Sequence, residues 1–538
     1  MLWLATLAMR PLFNTDEGRY AEIPREMLQG GDWVIPHLNG LSYIEKPPLQ
    51  YWATALCLQL FGSTEFAARL YVGLTALCTI VVVWWVASRL WDRDTAWRAA
   101  AILASLLLFL VLGQLLTLDM SLTFYLTLSL AGFLLAQRPA LVVGGGASFR
   151  ASRGAARGWM LLAWVATALG VLTKGLVAAA IPVAVLVVYT LSARDFAPWR
   201  RLYLAVGLPI FLVITVPWHW LAARRLADFL EFFFVHEHMA RFLTPIADRQ
   251  EAWWFFIAVF VAGSLPWTLP ALRVLTTGWR RRVPAGGFNA PLFLWLWIAF
   301  VIGFYSLSDS KLIPYVLPAM PALALLIATL PPALLRRDIK WTAVLTLILA
   351  LALVLASLYW PRLIASFDRR AYFLPLARPL LQIALLLAVS GIYVLVQRNC
   401  ELTRAAVILG IGWCLSWLLL VRAAAIVAPI YSGAGLAAAL PAAERAALVY
   451  SVGTYDQTLP FYWRRTVRLV AYRGELAYGL RHQPDAESVT LEEFLKSWTT
   501  DRKAYAVMER SMFDKLKERG VAMREISRDA QRVLVARR

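Results

Sequence analysis

Residues 14–52, NTDEGRYAEIPREMLQGGDWVIPHLNGLSYIEKPPLQYW, form a polar stretch between apolar segments. Acidic, basic and aromatic side chains are mixed within it, whereas residues 1–9 before it are apolar. Residues 1–9 are about half as long as a helix that crosses a bilayer, so we interpret them as the end of a first helix. The stretch therefore predicts a loop at a membrane surface, held in place by the rest of the chain.

The composition of the 538-residue chain is typical of a polytopic membrane protein. Hydrophobic residues make up 60% of it and charged residues only 16%, with a mean hydropathy of +0.63. The formal net charge is nevertheless +20. The sequence has no basic stripe with interleaved aromatics outside the apolar segments, which argues against a nucleic-acid partner. We expect the basic excess to orient the chain among membrane lipids.

Apolar runs of helical length recur along the chain and predict about thirteen transmembrane helices, including the first. Residues 48–61 are shorter and rich in aromatics, so we expect them in the membrane interface. The fold class predicted is an all-α polytopic domain. The further predicted spans are 66–88, 97–114, 120–137, 159–173, 175–191, 202–221, 253–271, 291–307, 312–333, 341–359, 376–396 and 404–426.

The connections between these spans alternate between strongly basic and mixed. The basic set predicts the cytoplasmic side, because cytoplasmic loops are enriched in Lys and Arg. The opposite set, with the opening loop and residues 222–252, then faces outward. The basic connections lie near residues 89–98, 138–157, 194–201, 280–282, 336–340 and 398–404.

From about residue 428 the chain becomes polar and contains apolar runs of strand length. We predict strands at 447–452, 467–471, 504–508 and 532–536, and helices at 492–498 and 513–519. The predicted organisation is thus a transmembrane domain, 1–427, whose catalytic loops are 10–65 and 222–252, and a small outer α/β domain, 428–538. Its Asp456 and His482 are interpreted as surface residues.

Two short motifs in the opening loop bring together groups that carry chemistry. Asp16 and Glu17 follow the first apolar segment, where a carboxylate can orient a hydroxyl, act as a base or bind a cation. A solvated acidic pair explains them equally well. In YIEKPP, two prolines fix the backbone beside Glu45 and Lys46, which favours a rigid loop that presents both charges. An ordinary proline turn is the alternative.

Single charges in apolar surroundings mark the other outward connections. Asp119, in LLTLDMSLTF, is a membrane-embedded acid and hence a functional candidate, although a structural ion pair would also explain it. Lys174 and Lys311 are lone cations that could extend toward the membrane surface. With Arg241, which lies in FFFVHEHMARFL, they would form a phosphate-binding cluster.

A divalent metal is a further hypothesis for the outer side. Its ligands would be Glu45 together with His236 or His238, although interfacial side chains account for two histidines at this spacing equally well. A lipid-linked phosphate on this face would have its chain among the helices. A transferase there needs a donor that is already activated, such as a lipid phosphate.

These motifs resemble the C-type glycosyltransferase superfamily, membrane enzymes that take a sugar from a polyprenyl phosphate. Within it, they are similar to the bacterial lipid A 4-amino-4-deoxy-L-arabinose transferases, which are related to protein O-mannosyltransferases. The residues that carry the resemblance are TDEGRYAEIPREML, GDWVIPHLNGLSYIEKPPLQYW, TLDM, TKGL, HEHMARF and SDSKLIPYVLPAMPALA.

The resemblance implies transfer of aminoarabinose from undecaprenyl phosphate to lipid A at the periplasmic face of the inner membrane, by an enzyme expected to be a monomer. It implies that Asp16 and Asp119 flank the site, with Glu45 and Lys46 in a mobile loop over it. Another acceptor, such as a protein hydroxyl, and a lipid-phosphate flippase remain alternatives. The donor phosphate would be held by Arg19, Lys46, Lys174 and Arg241, with Tyr20, Tyr43, Lys311 and Tyr315 near the substrate.

Overall fold

The computed structural model describes most of the chain. The described residues are 2–137, 153–240, 244, 250–280, 288–365, 367, 369–397, 401–444, 447–483, 488–500 and 503–537. Arg241 and parts of the basic connections near 138–157 and 280–282 lie outside them, as does the side chain of His238.

The predicted helical membrane domain is confirmed. Within the described ranges, seven helices are long and apolar enough to cross a membrane: Glu65–Leu90, Leu118–Gln137, Gly154–Lys174, Leu204–Arg225, Pro332–Leu363, Arg370–Val396 and Leu402–Ala424. Three shorter apolar helices accompany them, Val177–Ala193, Ala290–Ser306 and Ile313–Ala328. The total of about thirteen spans stays a prediction.

Two segments predicted as continuous spans are interrupted. Residues 97–114 divide into Arg93–Ser105 and Leu107–Leu112, and residues 253–271 divide into Phe255–Gly263 and Thr268–Thr277. The interruptions meet, because the amide of Leu107 donates to the carbonyl of Leu265 over 2.8 Å. Each break exposes backbone groups that lipid cannot satisfy, so pairing them with each other makes both breaks tolerable inside the membrane domain.

The opening polar stretch folds into a helix, a hairpin and a second helix. The first, Asp16–Gly30, which we call the surface helix, begins with two acids that favour a helix N-terminus and ends at Gly31, whose φ is +70°. Strands β1, His37–Leu38, and β2, Leu41–Ser42, pair antiparallel. Asn39 and Gly40 connect them with positive φ, as a two-residue hairpin requires. The helix Leu49–Phe61 follows YIEKPP.

A five-stranded mixed sheet forms the C-terminal domain and confirms the predicted α/β class. The strands are β3 Leu448–Val452, β4 Arg468–Val470, β5 Ala504–Glu509, β6 Met523–Arg528 and β7 Arg532–Arg537. Their order in the sheet is β4, β3, β5, β7, β6, with β3 parallel to β4 and β5 and with β7 antiparallel to β5 and β6. The four predicted strands are present, and the sequence prediction missed β6.

The predicted helices of this domain are present as Leu491–Thr500 and Arg510–Glu518. They pack on the sheet through Phe494, Trp498 and Phe513. Three shorter helices are Ala434–Ala439, Thr458–Trp463 and Ala477–His482. The second packs against the surface helix and the third against β2.

The interpretation of Asp456 as a surface residue is wrong. Its side chain is 2% exposed, forms an ion pair with Arg532 and accepts hydrogen bonds from the amide and hydroxyl of Thr458. A buried carboxylate needs such partners, so Asp456 stabilises the domain interior. His482 is partly exposed, and its Nε2 lies 3.1 Å from Oδ2 of Asp228.

Candidate active site

A cavity of about 460 Å³ lies where the surface helix meets YIEKPP and the ends of several membrane helices. One part of its wall is apolar and contains Leu176, Val177, Ala180 and Leu312. The other part is charged. Its described charged residues are Asp16, Arg19, Glu45, Lys46, Asp119, Lys174 and Glu237. The cavity therefore brings together most of the site residues predicted from the sequence.

Asp16 occupies the first turn of the surface helix, where the helix dipole favours a carboxylate. Half of its side chain is exposed, at 50%, and it lines the cavity. Arg19, one turn further along, donates a hydrogen bond from Nη2 to Oδ1 of Asp16. One face of the helix thus presents an acid and its basic partner to the cavity.

Arg19 also joins the surface helix to two other segments. Its Nη1 donates to the hydroxyl of Tyr43 over 2.8 Å and lies 3.5 Å from Oε2 of Glu475 in the C-terminal domain. The side chain is buried. Tyr20 lines the cavity beside it, whereas Tyr43 lies behind Arg19 and is not part of the cavity wall.

Glu17, the neighbour of Asp16, points into the protein interior. Its two oxygens accept four hydrogen bonds from Arg10 and Arg69 at 2.5–3.0 Å, and the amides of Phe13 and Leu116 donate to it as well. Burial alone raises the pKa of this carboxyl, but Arg69 and Arg10 hold it well below its usual range. Glu17 therefore fastens the start of the surface helix to the helix Glu65–Leu90.

Asp119 and Lys174 form an ion pair across the cavity wall. Asp119 lies in the first turn of the helix Leu118–Gln137, and Lys174 is the last residue of its helix. An acid at one helix N-terminus and a base at another C-terminus each complement the local dipole. The ammonium of Lys174 also lies 4.8 Å from the ring centroid of Tyr315, within cation–π range.

Lys46 pairs with Glu237, a residue to which sequence reasoning assigned no role. Nζ of Lys46 lies 2.7 Å from Oε2 of Glu237, which belongs to the π-helical segment Glu231–Ala240. The two residues are 191 positions apart, so no local spacing could have indicated the contact. Glu45 lines the same cavity. YIEKPP is thereby tied to the segment that follows residue 222.

Lys311 lies behind the cavity wall. Its side chain is buried, and Nζ donates to the carbonyl of Ser308 over 2.7 Å. Ser308 and Ser310 themselves line the cavity. Lys311 thus stabilises the turn before the segment Ile313–Ala319. It lies next to the cavity and not in its wall, where a substrate-binding residue was predicted.

The described residues contain no group of three or more His, Cys, Asp or Glu side chains arranged to hold a metal ion. His236 stacks on Phe232, and its Nδ1 lies 3.6 Å from Oε1 of Glu237. The side chain of His238, the other histidine predicted as a ligand, lies outside the described residues. A metal held by Glu45 and these histidines stays a prediction.

Two known families match parts of the chain. The family described as dolichyl-phosphate-mannose-protein mannosyltransferase matches residues 11–233, and the family described as aminoarabinose transferase C-terminal domain matches residues 436–537. The first match contains the surface helix, YIEKPP, Asp119 and Lys174. Fold and site together define the C-type class of membrane glycosyltransferases.

Similar proteins extend the match to nearly the whole chain. An undecaprenyl phosphate-alpha-4-amino-4-deoxy-L-arabinose arabinosyl transferase 2 of Sodalis glossinidius is 31% identical over 519 residues, 93% of this chain and 89% of that protein. The crystal structure of ArnT from Cupriavidus metallidurans bound to undecaprenyl phosphate is 32% identical, with a TM-score of 0.89 over 99% of this chain and 96% of that one.

The relative from Erwinia tasmaniensis, also an undecaprenyl phosphate-alpha-4-amino-4-deoxy-L-arabinose arabinosyl transferase, is 35% identical over 329 residues. That match spans 61% of this chain and 57% of the relative. The chain belongs to the family of undecaprenyl phosphate-alpha-4-amino-4-deoxy-L-arabinose arabinosyl transferases.

Proposed function

We propose that this protein transfers 4-amino-4-deoxy-L-arabinose from undecaprenyl phosphate to a phosphate group of lipid A. The reaction takes place at the periplasmic face of the bacterial inner membrane, with the C-terminal domain, residues 428–538, on the same side. The observation that carries the proposal is the pairing of charges in the cavity, where each described cation of the wall has a carboxylate partner.

Paired charges suit a donor that carries both signs. The phosphodiester of the donor is an anion and the amino group of its sugar is a cation. A phosphate that binds Lys46 replaces Glu237 as its partner, and one that binds Lys174 replaces Asp119. The ammonium group of the sugar can then pair with the carboxylate that has lost its partner. A neutral sugar on the same lipid phosphate offers no such exchange and would leave a buried charge uncompensated, which is costly. The wall therefore favours an aminosugar.

The cations have a second role in the reaction itself. An oxygen of the acceptor forms a bond to the anomeric carbon, the bond from that carbon to the donor phosphate oxygen breaks, and undecaprenyl phosphate leaves with the electron pair. Lys46 and Lys174 stabilise the negative charge that develops on the leaving phosphate. Arg241, which lies outside the described residues, is proposed to assist them.

The carboxylates act on the sugar and not as strong bases. A phosphate of lipid A is already ionised at neutral pH, so its attack needs no proton acceptor. Asp16 and Asp119 orient the aminosugar and stabilise the positive charge at its anomeric centre, with Glu45 above them in YIEKPP. The apolar wall formed by Leu176, Val177, Ala180 and Leu312 receives the first isoprenoid units next to the phosphate.

The direct test uses purified protein in proteoliposomes with labelled undecaprenyl phosphate aminoarabinose. Label on lipid A, detected by mass spectrometry, is the expected result. Label on a hydroxyl-bearing peptide, with none on lipid A, would identify the acceptor of a protein O-glycosyltransferase instead. Movement of the intact donor between leaflets, without transfer to either acceptor, would favour a flippase.

Asp119→Asn is expected to lower the rate of transfer by about 100-fold or more, because it removes a charge that stabilises the reacting centre. Asp16→Asn should have a similar effect. Asp94→Asn, an exposed acid in the first turn of the helix Arg93–Ser105, serves as the control and should leave the rate unchanged. Wild-type transfer rates in the first two variants, measured on purified protein, would contradict the site assignment.

A further inference from the structure

One acid of the C-terminal domain, Glu475, contacts the side of the surface helix that carries Asp16 and Arg19. Oε2 of Glu475 lies 3.5 Å from Nη1 of Arg19, whose Nη2 donates to Asp16. Glu475 does not line the cavity and is 22% exposed, so it is not placed to touch the substrate. Any effect on the reaction is therefore indirect, and Arg19 joins Glu475 to Asp16.

Glu475 is itself held in position. Its Oε1 accepts a hydrogen bond from Nε2 of Gln457, and the amide of Gln457 donates to Oδ1 of Asn14 over 3.1 Å. Asn14 lies two residues before Asp16. A ring of contacts therefore starts at the beginning of the surface helix, crosses into the C-terminal domain and returns to the same helix at Arg19.

Arg19 cannot be aligned on Asp16 by the surface helix alone. An arginine side chain has several rotatable bonds, and a single contact to a half-exposed carboxylate does not fix all of them. The hydroxyl of Tyr43 and the carboxylate of Glu475 bind the other terminal nitrogen. With both ends of the guanidinium occupied, its plane is fixed relative to Asp16.

Docking of the C-terminal domain does not depend on Glu475. The side chain of Asn39 exchanges hydrogen bonds with the backbone of Val467 at 2.8–2.9 Å. The hydroxyl of Tyr462 donates to Oε1 of Glu65 over 3.0 Å and accepts from the amide of Leu12 over 2.8 Å. None of these contacts involves Glu475, so we expect them to remain when its charge is removed.

We propose that Glu475 is a positioning residue for the transfer reaction, supplied by the C-terminal domain, which fixes Arg19 and through it the carboxylate of Asp16. The domain thereby contributes to the active site without lining the cavity. This inference rests on the proposed function, since it assigns Glu475 to the transfer step in which Asp16 takes part.

The test compares Glu475→Gln with wild type in the reconstituted transfer assay. We expect kcat to fall roughly tenfold, as for a small misplacement of a reacting group, while the KM for the donor stays within about twofold. Glu475→Asp retains the charge and should recover part of kcat. The thermal unfolding midpoint of both variants should match that of wild type.

Glu492→Gln provides the matched control, because Glu492 is an exposed acid of the same domain. It should leave kcat and KM unchanged. The inference is overturned if Glu475→Gln keeps the wild-type kcat, or if it raises KM alone. It is equally overturned if kcat falls together with the unfolding midpoint and Glu475→Asp restores neither, since that pattern indicates domain packing.

The wild-type protein separates this inference from the proposed function. If wild type moves aminoarabinose to lipid A and Glu475→Gln does so at the same rate, only the role of Glu475 fails. If wild type transfers nothing to lipid A, the proposed function fails and takes this role with it.

Discussion

Asp16 and Glu17 are adjacent in the sequence and have opposite environments. The carboxylate of Asp16 is half exposed in the cavity, whereas that of Glu17 is buried and bound by two arginines. A helix places consecutive side chains about 100° apart, which is enough to send one to the cavity and one to the interior. The sequence could identify the acidic pair but could not show which acid faces the cavity and which is buried, because Arg69, a partner of Glu17, lies 52 residues away.

Glu17→Gln is expected to destabilise the protein by about 3–5 kcal/mol at neutral pH, because it leaves Arg10 and Arg69 buried without their countercharge. The pKa of Glu17 is held below its usual value in the folded state. Its stabilisation is therefore complete above the unfolded-state pKa of about 4.3 and is lost as pH falls toward the folded-state value. The difference in unfolding midpoint between wild type and variant should be constant from about pH 8 to 5 and shrink below about pH 4.

Thermal unfolding in detergent across this range measures the effect of Glu17. Glu492→Gln, at an exposed position, should show no comparable deficit at any pH. A deficit of Glu17→Gln that did not change with pH would show that packing and not charge is responsible.

The contact of Lys46 with Glu237 gives a second prediction at this scale. Lys46→Gln should weaken binding of undecaprenyl phosphate roughly tenfold, since a hydrogen bond to a charged group is lost. Glu237→Gln keeps Lys46 and removes the carboxylate that competes with phosphate for it, so it should tighten binding. Equilibrium binding of labelled undecaprenyl phosphate distinguishes them. Equal weakening in both variants would mean that the pair only supports the loop.

Most charged residues of the cavity could be predicted from the sequence. Asp119 and Lys174 are conspicuous as lone charges in apolar runs, and the alternation of basic connections predicts one side for both. Four more charged residues belong to the motifs of the opening loop. Two partners of the cavity cations were harder to find. Glu237 lies in the aromatic-rich stretch EFFFVHEHMA and Glu475 in a polar segment, and only the fold brings them to Lys46 and Arg19.

Some secondary structure elements could likewise be predicted from the sequence and others could not. Apolar strands of the C-terminal domain could be recognised by their composition, whereas β6, MREISR, is charged, lies at the sheet edge and has no buried residue. The interruption after Ser105 could not be predicted locally, because the amide of Leu107 donates to the carbonyl of Leu265, which lies 158 positions away. The other interruption has a local signal in Pro266, which lacks an amide and disfavours the helical conformation of the residue before it.

Gly18 lies where the surface helix packs against the C-terminal domain. A Cβ at this position would lie 2.5 Å from the backbone carbon of Gln457, so the glycine allows the surface helix and the C-terminal domain to pack closely. Gly18→Ala should cost about 1–3 kcal/mol of stability through overpacking. It should also lower transfer, since Asp16 and Arg19 lie on the same turn.

Gly30, at the end of the same helix, is the matched control for Gly18. A Cβ there meets nothing within 4 Å, and alanine favours a helix over glycine by up to about 1 kcal/mol. Gly30→Ala should therefore be neutral or slightly stabilising. Thermal unfolding and limited proteolysis of the C-terminal domain measure the stability of both variants. Equal stability of Gly18→Ala and Gly30→Ala would contradict the role of Gly18 in packing.

At the scale of the whole molecule, the orientation in the membrane is a prediction from charge. The chain carries a net charge of +20, and the alternation of its connections predicts that those richest in arginine face away from the opening loop. The surface helix, YIEKPP and the C-terminal sheet contact one another, as the hydrogen bonds of Asn39 to Val467 and of Arg19 to Tyr43 show. Whatever side holds the cavity therefore holds the C-terminal domain.

Cysteine labelling of right-side-out membrane vesicles tests this orientation. In a variant without Cys57, Cys78, Cys400 and Cys414, we would introduce Glu492→Cys in the C-terminal domain and Arg337→Cys in a basic connection, both at exposed positions. An impermeant maleimide should label the first in intact vesicles and the second only after detergent is added. The basic connection is expected inside because Lys and Arg are retained on the cytoplasmic side during insertion. The reverse pattern would place the cavity on the cytoplasmic side and would contradict the proposed transfer at the periplasmic face.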